Sequence, residues 1–105
     1  MPKALFVDTV YERTHKLAQK LQEDYNTKST ADRVVFDIKE GRKYYKIVEV
    51  EGGVHAFVDI KSGDVFKPAG YNKPARHVRY NLLDDVSYNN CIQRADWAGG
   101  YLYLR

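Results

Sequence analysis

The residue types that could do chemistry in this chain are few: His15, His55, His77, the lone Cys91 and the adjacent carboxylates Asp84-Asp85. A zinc site needs ligands at short, repeated spacing, and no two histidines stand that way, so no metal is expected. A nucleophilic thiol needs a base or a cationic neighbour to lower its pKa, and no motif ties a His or Asp to Cys91. His55 lies in an alternating stretch, where a half-buried sheet residue beside Phe57 explains it better than a catalytic base. Asp84-Asp85 precede an apolar periodic run and read as a helix cap rather than a metal pair. The glycines form neither G-x-x-x-x-G-K-[ST] nor G-x-G-x-x-G, so nothing cradles a nucleotide phosphate. No enzyme activity, metal or cofactor is expected.

Binding chemistry is better represented. The formal net charge of +3 is unevenly placed. Residues 61–81 carry Lys61, Lys67, Lys73, Arg76 and Arg79 against Asp64 alone, a local +4, and the remaining 84 residues sum to −1. Such a stretch suits phosphate or another polyanion, because Lys and Arg displace condensed counterions there; a solvated loop is the alternative. Nine tyrosines are many for this length. Tyr71 and Tyr80 flank Lys73, Arg76 and Arg79, and rings interleaved with cations are what single-stranded nucleic acid uses. Tyrosine is equally the favoured anchor of protein interfaces. The candidate binding residues are therefore Lys67, Tyr71, Lys73, Arg76, Arg79, Tyr80, Tyr101 and Tyr103.

These residues must be positioned by one ordinary domain, since 105 residues suffice for a single core (residues 1–105) and not for a cleft between two lobes. The longest apolar run, Ala4-Leu5-Phe6-Val7, is too short for a membrane span or a secretory leader, and one cysteine makes no internal disulfide. No membrane association and a reducing cytoplasm are expected.

From Pro2 to Tyr25 the residues Val7, Val10/Tyr11, Thr14, Leu17/Ala18, Leu21 and Tyr25 recur at spacings of three and four, predicting an amphipathic helix. Arg13, Lys16, Lys20, Glu23 and Asp24 form its solvated face. Thr9 with Glu12 supplies a capping box if the start is later. Asn26 to Asp32 is a loop. From Val34 to Lys67 the period becomes two, broken at Glu40-Gly41, Gly52-Gly53 and Ser62-Gly63, which predicts a meander of antiparallel strands. Two-residue turns pair Ile47 with Val58, Lys46 with Asp59, Phe36 with Tyr45 and Val65 with Ile60. One face then holds Tyr45, Ile47, Ala56, Val58 and Ile60 under the helix. The other holds Tyr44, Val48, Val50, His55, Phe57 and Phe66, too apolar to stay bare, so the C-terminal part or a partner must cover it. Lys67-Pro68-Ala69 and Lys73-Pro74-Ala75 predict a stiff irregular wrap. Asp84 or Asp85 caps a short helix with Tyr88, Cys91, Ile92 and Ala95 inward. Tyr101 to Arg105 alternates and predicts a final edge strand with both phenols on one side. The fold class is α+β: a meander of four to five strands against an N-terminal amphipathic helix, with a short second helix.

Gly63-Asp64-Val65-Phe66-Lys67-Pro68-Ala69, then Lys73-Pro74-Ala75 and Arg79, with Trp97 and the closing Gly-Tyr-Leu-Tyr, resembles a group of small uncharacterised proteins encoded by tailed bacteriophages. The likeness runs from Lys43 onward, with Tyr71 where those proteins often carry Trp. It implies a phage accessory protein of the host cytoplasm and no catalytic residues. The functions expected, in order, are a non-catalytic protein that binds a bacterial host protein, a single-stranded nucleic-acid binder using residues 61–81, and a virion or assembly protein formed as a homo-oligomer through the second sheet face.

Overall fold

A computed structural model describes residues 2–28, 34–50 and 52–103, with the side chains of residues 2–8 set aside. Helix α1 (Pro2–Lys28) is followed by strands β1 (Phe36–Glu40), β2 (Tyr44–Glu49), β3 (Val54–Asp59), β4 (Asp64–Gly70) and β5 (Lys73–Asn81). Helix α2 (Asp85–Arg94) and a 3₁₀ turn (Gly100–Tyr103) complete the chain. The strands form one antiparallel sheet in the order β1-β2-β3-β4-β5, so every neighbour is a hairpin partner.

Helix α1 buries Val10, Thr14, Leu17, Ala18, Leu21 and Tyr25 of the predicted stripe, because a period of 3.6 brings these positions to one side, while Tyr11 at its border stays exposed. Thr14 keeps its hydroxyl satisfied by donating to the Val10 carbonyl at 2.7 Å. Val7 belongs to the same predicted stripe and lies outside the described side chains. The helix runs unbroken through Thr9 and on to Lys28, so it does not start at Thr9 and Asn26 to Lys28 are helical; residues 29–32 of the expected loop lie outside the described residues.

The solvated face expected of α1 is partly a seam. Arg13 donates to the Leu82 carbonyl at 2.8 Å, pairs with Asp85 at 3.0 Å and lies 4.3 Å over the Tyr88 ring. Lys20 donates to the Ile92 carbonyl at 3.1 Å, and Asp24 accepts from the Trp97 amide at 3.0 Å. These contacts draw α2 onto the same sheet face as α1. Cys91, Ala95, Tyr101 and Leu102 accordingly share one core cluster with Val10, Leu17, Ile47 and Val58. The expectation that the short helix would cover the second face is corrected: both helices cover the first.

Helix α2 starts where the acidic pair predicts. Asp84, in extended conformation, accepts from the Val86 and Ser87 amides at 3.0 and 3.2 Å, filling two of the orphan donors of the first turn.

The strand register departs from the two-residue-turn expectation. Ile47 opposes Ala56, Tyr45 opposes Val58, Ile38 opposes Ile47, and Val65 opposes Val58. Lys46 faces Phe57 instead of Asp59, whose carboxylate accepts from the Lys61 and Ser62 amides at 2.9 Å each. The turns are longer: Gly41 donates to the Tyr44 carbonyl, and Glu49 donates to that of Gly53. Up to the irregularity at Ile47/Val48 every displacement is by an even number of residues, so side chains keep their face although their partners change; beyond it Val48 opposes Val54 and the slip is odd. At the β3–β4 turn Gly63 adopts φ +78, the left-handed region where a Cβ is strained, and one built there would stand 3.2 Å from Leu83 Cγ.

Two further expectations fail at the C-terminal half. The Pro-containing wrap is the β4–β5 hairpin. Pro68 opposes Pro74, a rung that neither nitrogen can make, and the register shifts on either side of it. The predicted last strand is the 3₁₀ turn, so Tyr101 is 3% exposed while Tyr103 is 63% exposed, on different sides. Leu104 and Arg105 lie outside the described residues.

Candidate functional site

The sheet face away from the helices carries a row across three strands, Phe57 on β3, Phe66 on β4 and Val78 on β5, directly paired in register. Cross-strand aromatic and β-branched pairs of this kind hold a sheet together from one side. Tyr44 stands edge-on to both rings, at centroid distances of 5.5 Å to Phe57 and 6.1 Å to Phe66. Lys46 extends from β2 over this surface, its Nζ 6.0 Å from the Phe57 centroid and 4.1 Å from the Tyr71 ring at the β4–β5 tip. It also donates to Asn72 at 2.5 Å. The hairpin tip, the lysine stem and Tyr44 thus bury Phe57 to 1% exposure without any helix, which supplies part of the expected cover from within the chain. Tyr71 and Val78 stay open on this face, 56% and 49% exposed.

The eight candidate residues divide between this face and the interior. Tyr71, Lys73 and Arg76 are exposed around the hairpin, and among the described residues neither the Lys73 nor the Arg76 side chain has a hydrogen-bond or ion-pair partner. Lys67 and Tyr103 pair elsewhere, with Nζ 4.8 Å over the ring beside the 3₁₀ turn. Arg79 is structural: its Nε donates to the Leu102 carbonyl at 2.6 Å and its Nη1 to that of His77 at 3.3 Å. Tyr80 and Tyr101 are corrected from surface rings to core: they are 5% and 3% exposed, stacked at 6.0 Å, and the Tyr80 hydroxyl donates to the Tyr101 carbonyl. Burial raises the pKa of both phenols. Lys46, missed by sequence reasoning, is the cation that joins the open face to the hairpin. Its alternation with Tyr45 and Ile47 placed it on that face, but its contact with Tyr71 depended on how the hairpin folds back.

The two side chains with base or nucleophile chemistry are both inside. Cys91 is fully buried, and burial pushes its thiol up to about 12. His55 is corrected from the open face to the helix-covered one. The ladder shifts register at Ile47/Val48, opposite His55, and this irregularity turns the imidazole inward beside Phe36 at 5.5 Å and Tyr101 at 5.6 Å. Its Nε2 lies 2.8 Å from the Tyr101 hydroxyl. Burial lowers its pKa to about 4 against the opposing pull of Asp96, so the ring is neutral at pH 7. Among the described residues no group of three His, Cys, Asp or Glu side chains gathers to hold a metal, and no helix is long and apolar enough to cross a membrane.

A family model described as a family of unknown function (DUF7717) matches residues 4–104, and the chain belongs to that family. No curated protein and no solved structure matches.

Proposed function

We propose that this member of DUF7717 is a non-catalytic binding protein, of the accessory type carried by tailed bacteriophages, that docks on a protein of the bacterial host. The observation that carries this reading is the open sheet face: an exposed Tyr71 fixed over Lys46, beside a packed bed of Tyr44, Phe57, Phe66 and Val78. A stiff aromatic already held in place loses little entropy on docking, which is what interface anchors require. Lys73 and Arg76 at the rim favour a partner whose contact surface is acidic. The burial of His55 and Cys91 supports a role without catalysis.

The test is capture from host lysate by the immobilised protein and by its Tyr71→Ala and Lys73→Glu/Arg76→Glu variants. A discrete protein retained by the parent and lost with each folded variant supports the reading; the same proteins retained by all three would overturn it. Single-stranded nucleic acid stays as a second reading because Lys73 and Arg76 flank an exposed Tyr71, although Arg79, Tyr80 and Tyr101 are committed to the fold. It requires a gel shift whose log–log salt slope is about −2 for Lys46, Lys73 and Arg76 together, at roughly −0.7 per contact.

A further inference from the structure

The two margins of the sheet are treated differently. At the β1 margin, Gln22 of α1 donates its amide to the Val34 carbonyl at 2.7 Å and accepts from the Phe36 amide at 2.9 Å. The next amide on that side, Ile38, donates to the side chain of Asp37 at 2.8 Å. Phe36 and Ile38 are two residues apart and face the same way, so side chains of this chain occupy the positions a further strand would use. At the β5 margin, Asn81 donates to Ser87 Oγ at 2.8 Å, which closes only the end of the strand next to α2. From Lys73 to Val78, among the described residues, the sole side-chain contact to the outer backbone is Arg79 on the His77 carbonyl at 3.3 Å. Lys73, Arg76, His77 and Val78 are exposed there. No acidic residue lies between Val65 and Tyr80, while Lys67, Lys73, Arg76 and Arg79 all do.

We infer that the β5 margin from Lys73 to Val78 accepts an extended, acidic peptide as a sixth antiparallel or parallel strand. Main-chain hydrogen bonds give such an added strand its hold, and side chains alternating along it give the choice of sequence. The basic margin selects carboxylates, while like-charged Lys and Arg along a bare edge repel a second copy of the same edge. The inference rests on the protein-binding reading above and names the part of the partner that would be engaged.

The probe is a synthetic peptide of alternating Asp and Val, with a twin in which alternate backbone amides are replaced by esters, so that charge is kept and N–H donors are lost. Amide exchange of the uniformly labelled protein is followed as each is added. Slowed exchange at Ala75–Val78 with the amide peptide, binding that weakens with salt, and roughly tenfold weaker binding of the ester twin are expected, since a few hydrogen bonds are lost at once. Equal binding of the two peptides, or protection that develops at β1 instead, would overturn it. Arg76→Glu should abolish binding of the amide peptide with an unchanged melting temperature; because the peptide pair uses the parent protein, a variant that misfolds leaves the decision intact. If the peptides fail while Tyr71-dependent capture from lysate succeeds, the margin is not the site and the binding reading stands. Failure of both experiments removes both.

Discussion

His55 titrates inside the fold, and the direction of its shift fixes a pH window. Its pKa is about 4 in the folded chain, against 6.5 for an unperturbed imidazole. A lowered folded pKa means the unfolded chain binds the proton first, so stability is full above pH 6.5 and falls as pH drops towards 4. The loss amounts to about 3 kcal/mol at most. His55→Gln, which retains a polar group for the Tyr101 hydroxyl, should flatten this dependence; urea midpoints at pH 7 and pH 4 measure it, and parallel losses in both proteins would refute it. Asp24 acts in a separate, lower window. Burial works to raise its pKa, but the Trp97 amide and Lys28 hold it below 3.8, so its contribution fades only below that pH. Cys91→Ala should cost about 1–3 kcal/mol through the small void it leaves, without altering partner capture. The native thiol should react with a maleimide only as fast as the chain opens. Residue by residue, the sequence exposed the inert character of Cys91, because it sat in an apolar helical stripe with no partner. It concealed the inward turn of His55, because one register irregularity changes a face without changing composition.

At the scale of elements, the patterns that held were those repeated many times. The stripe of α1 spans several turns, and strand alternation survives any even slip, so helix, sheet and the faces away from the irregularity at Ile47/Val48 were legible while the register was not. The closing Gly-Tyr-Leu-Tyr of Gly100–Tyr103 misleads for the opposite reason. Four residues complete barely more than one 3₁₀ turn and are too few to distinguish a period of three from a period of two. Strand β5 was hidden by Pro74 and its charges, which argue against a central strand and are tolerated at a margin. The contact of Gln22 with β1 spans elements and had no signature in the chain. Gln22→Leu removes its bonds to the Val34 carbonyl and the Phe36 amide and should cost about 1–3 kcal/mol. Amide exchange at Phe36 should accelerate more than at Val58; equal acceleration would mean that the glutamine only stabilises the fold globally. Gly63→Ala should cost on the order of 1–3 kcal/mol, read as a lower urea midpoint, because of its φ of +78 and the nearby Leu83.

For the whole molecule, local hairpins build the sheet and three distant contacts fasten the helices over it. Arg13 to Leu82, Lys20 to Ile92 and Asp24 to Trp97 all join α1 to the region after β5. Trp97 further packs edge-on against Tyr25 at 5.0 Å. The lone tryptophan therefore reports the docking of the last turns of α1 on the segment after α2, and far-UV circular dichroism reports helix and sheet. Their thermal transitions should coincide, as one contiguous core implies, with an enthalpy of about 60–80 kcal/mol for a chain near this length. A tryptophan transition several degrees below the other would show that α1 separates before the sheet melts. The radius of gyration, 13.0 Å, is that of a close-packed chain of about 100 residues, which sequence length alone anticipates. What length does not anticipate is that both helices choose the same face; that followed from a handful of long polar side chains reading as ordinary solvent exposure.

The unequal margins of the sheet also set a count. A sheet that can be extended at both sides is a polymerisable unit, each copy offering a place and taking one. Here Gln22 and Asp37 already occupy the β1 side. On the proposed reading, a molecule docked through its β5 side would have no second vacancy to pass on, so assembly would stop at the first addition with a stoichiometry of one to one.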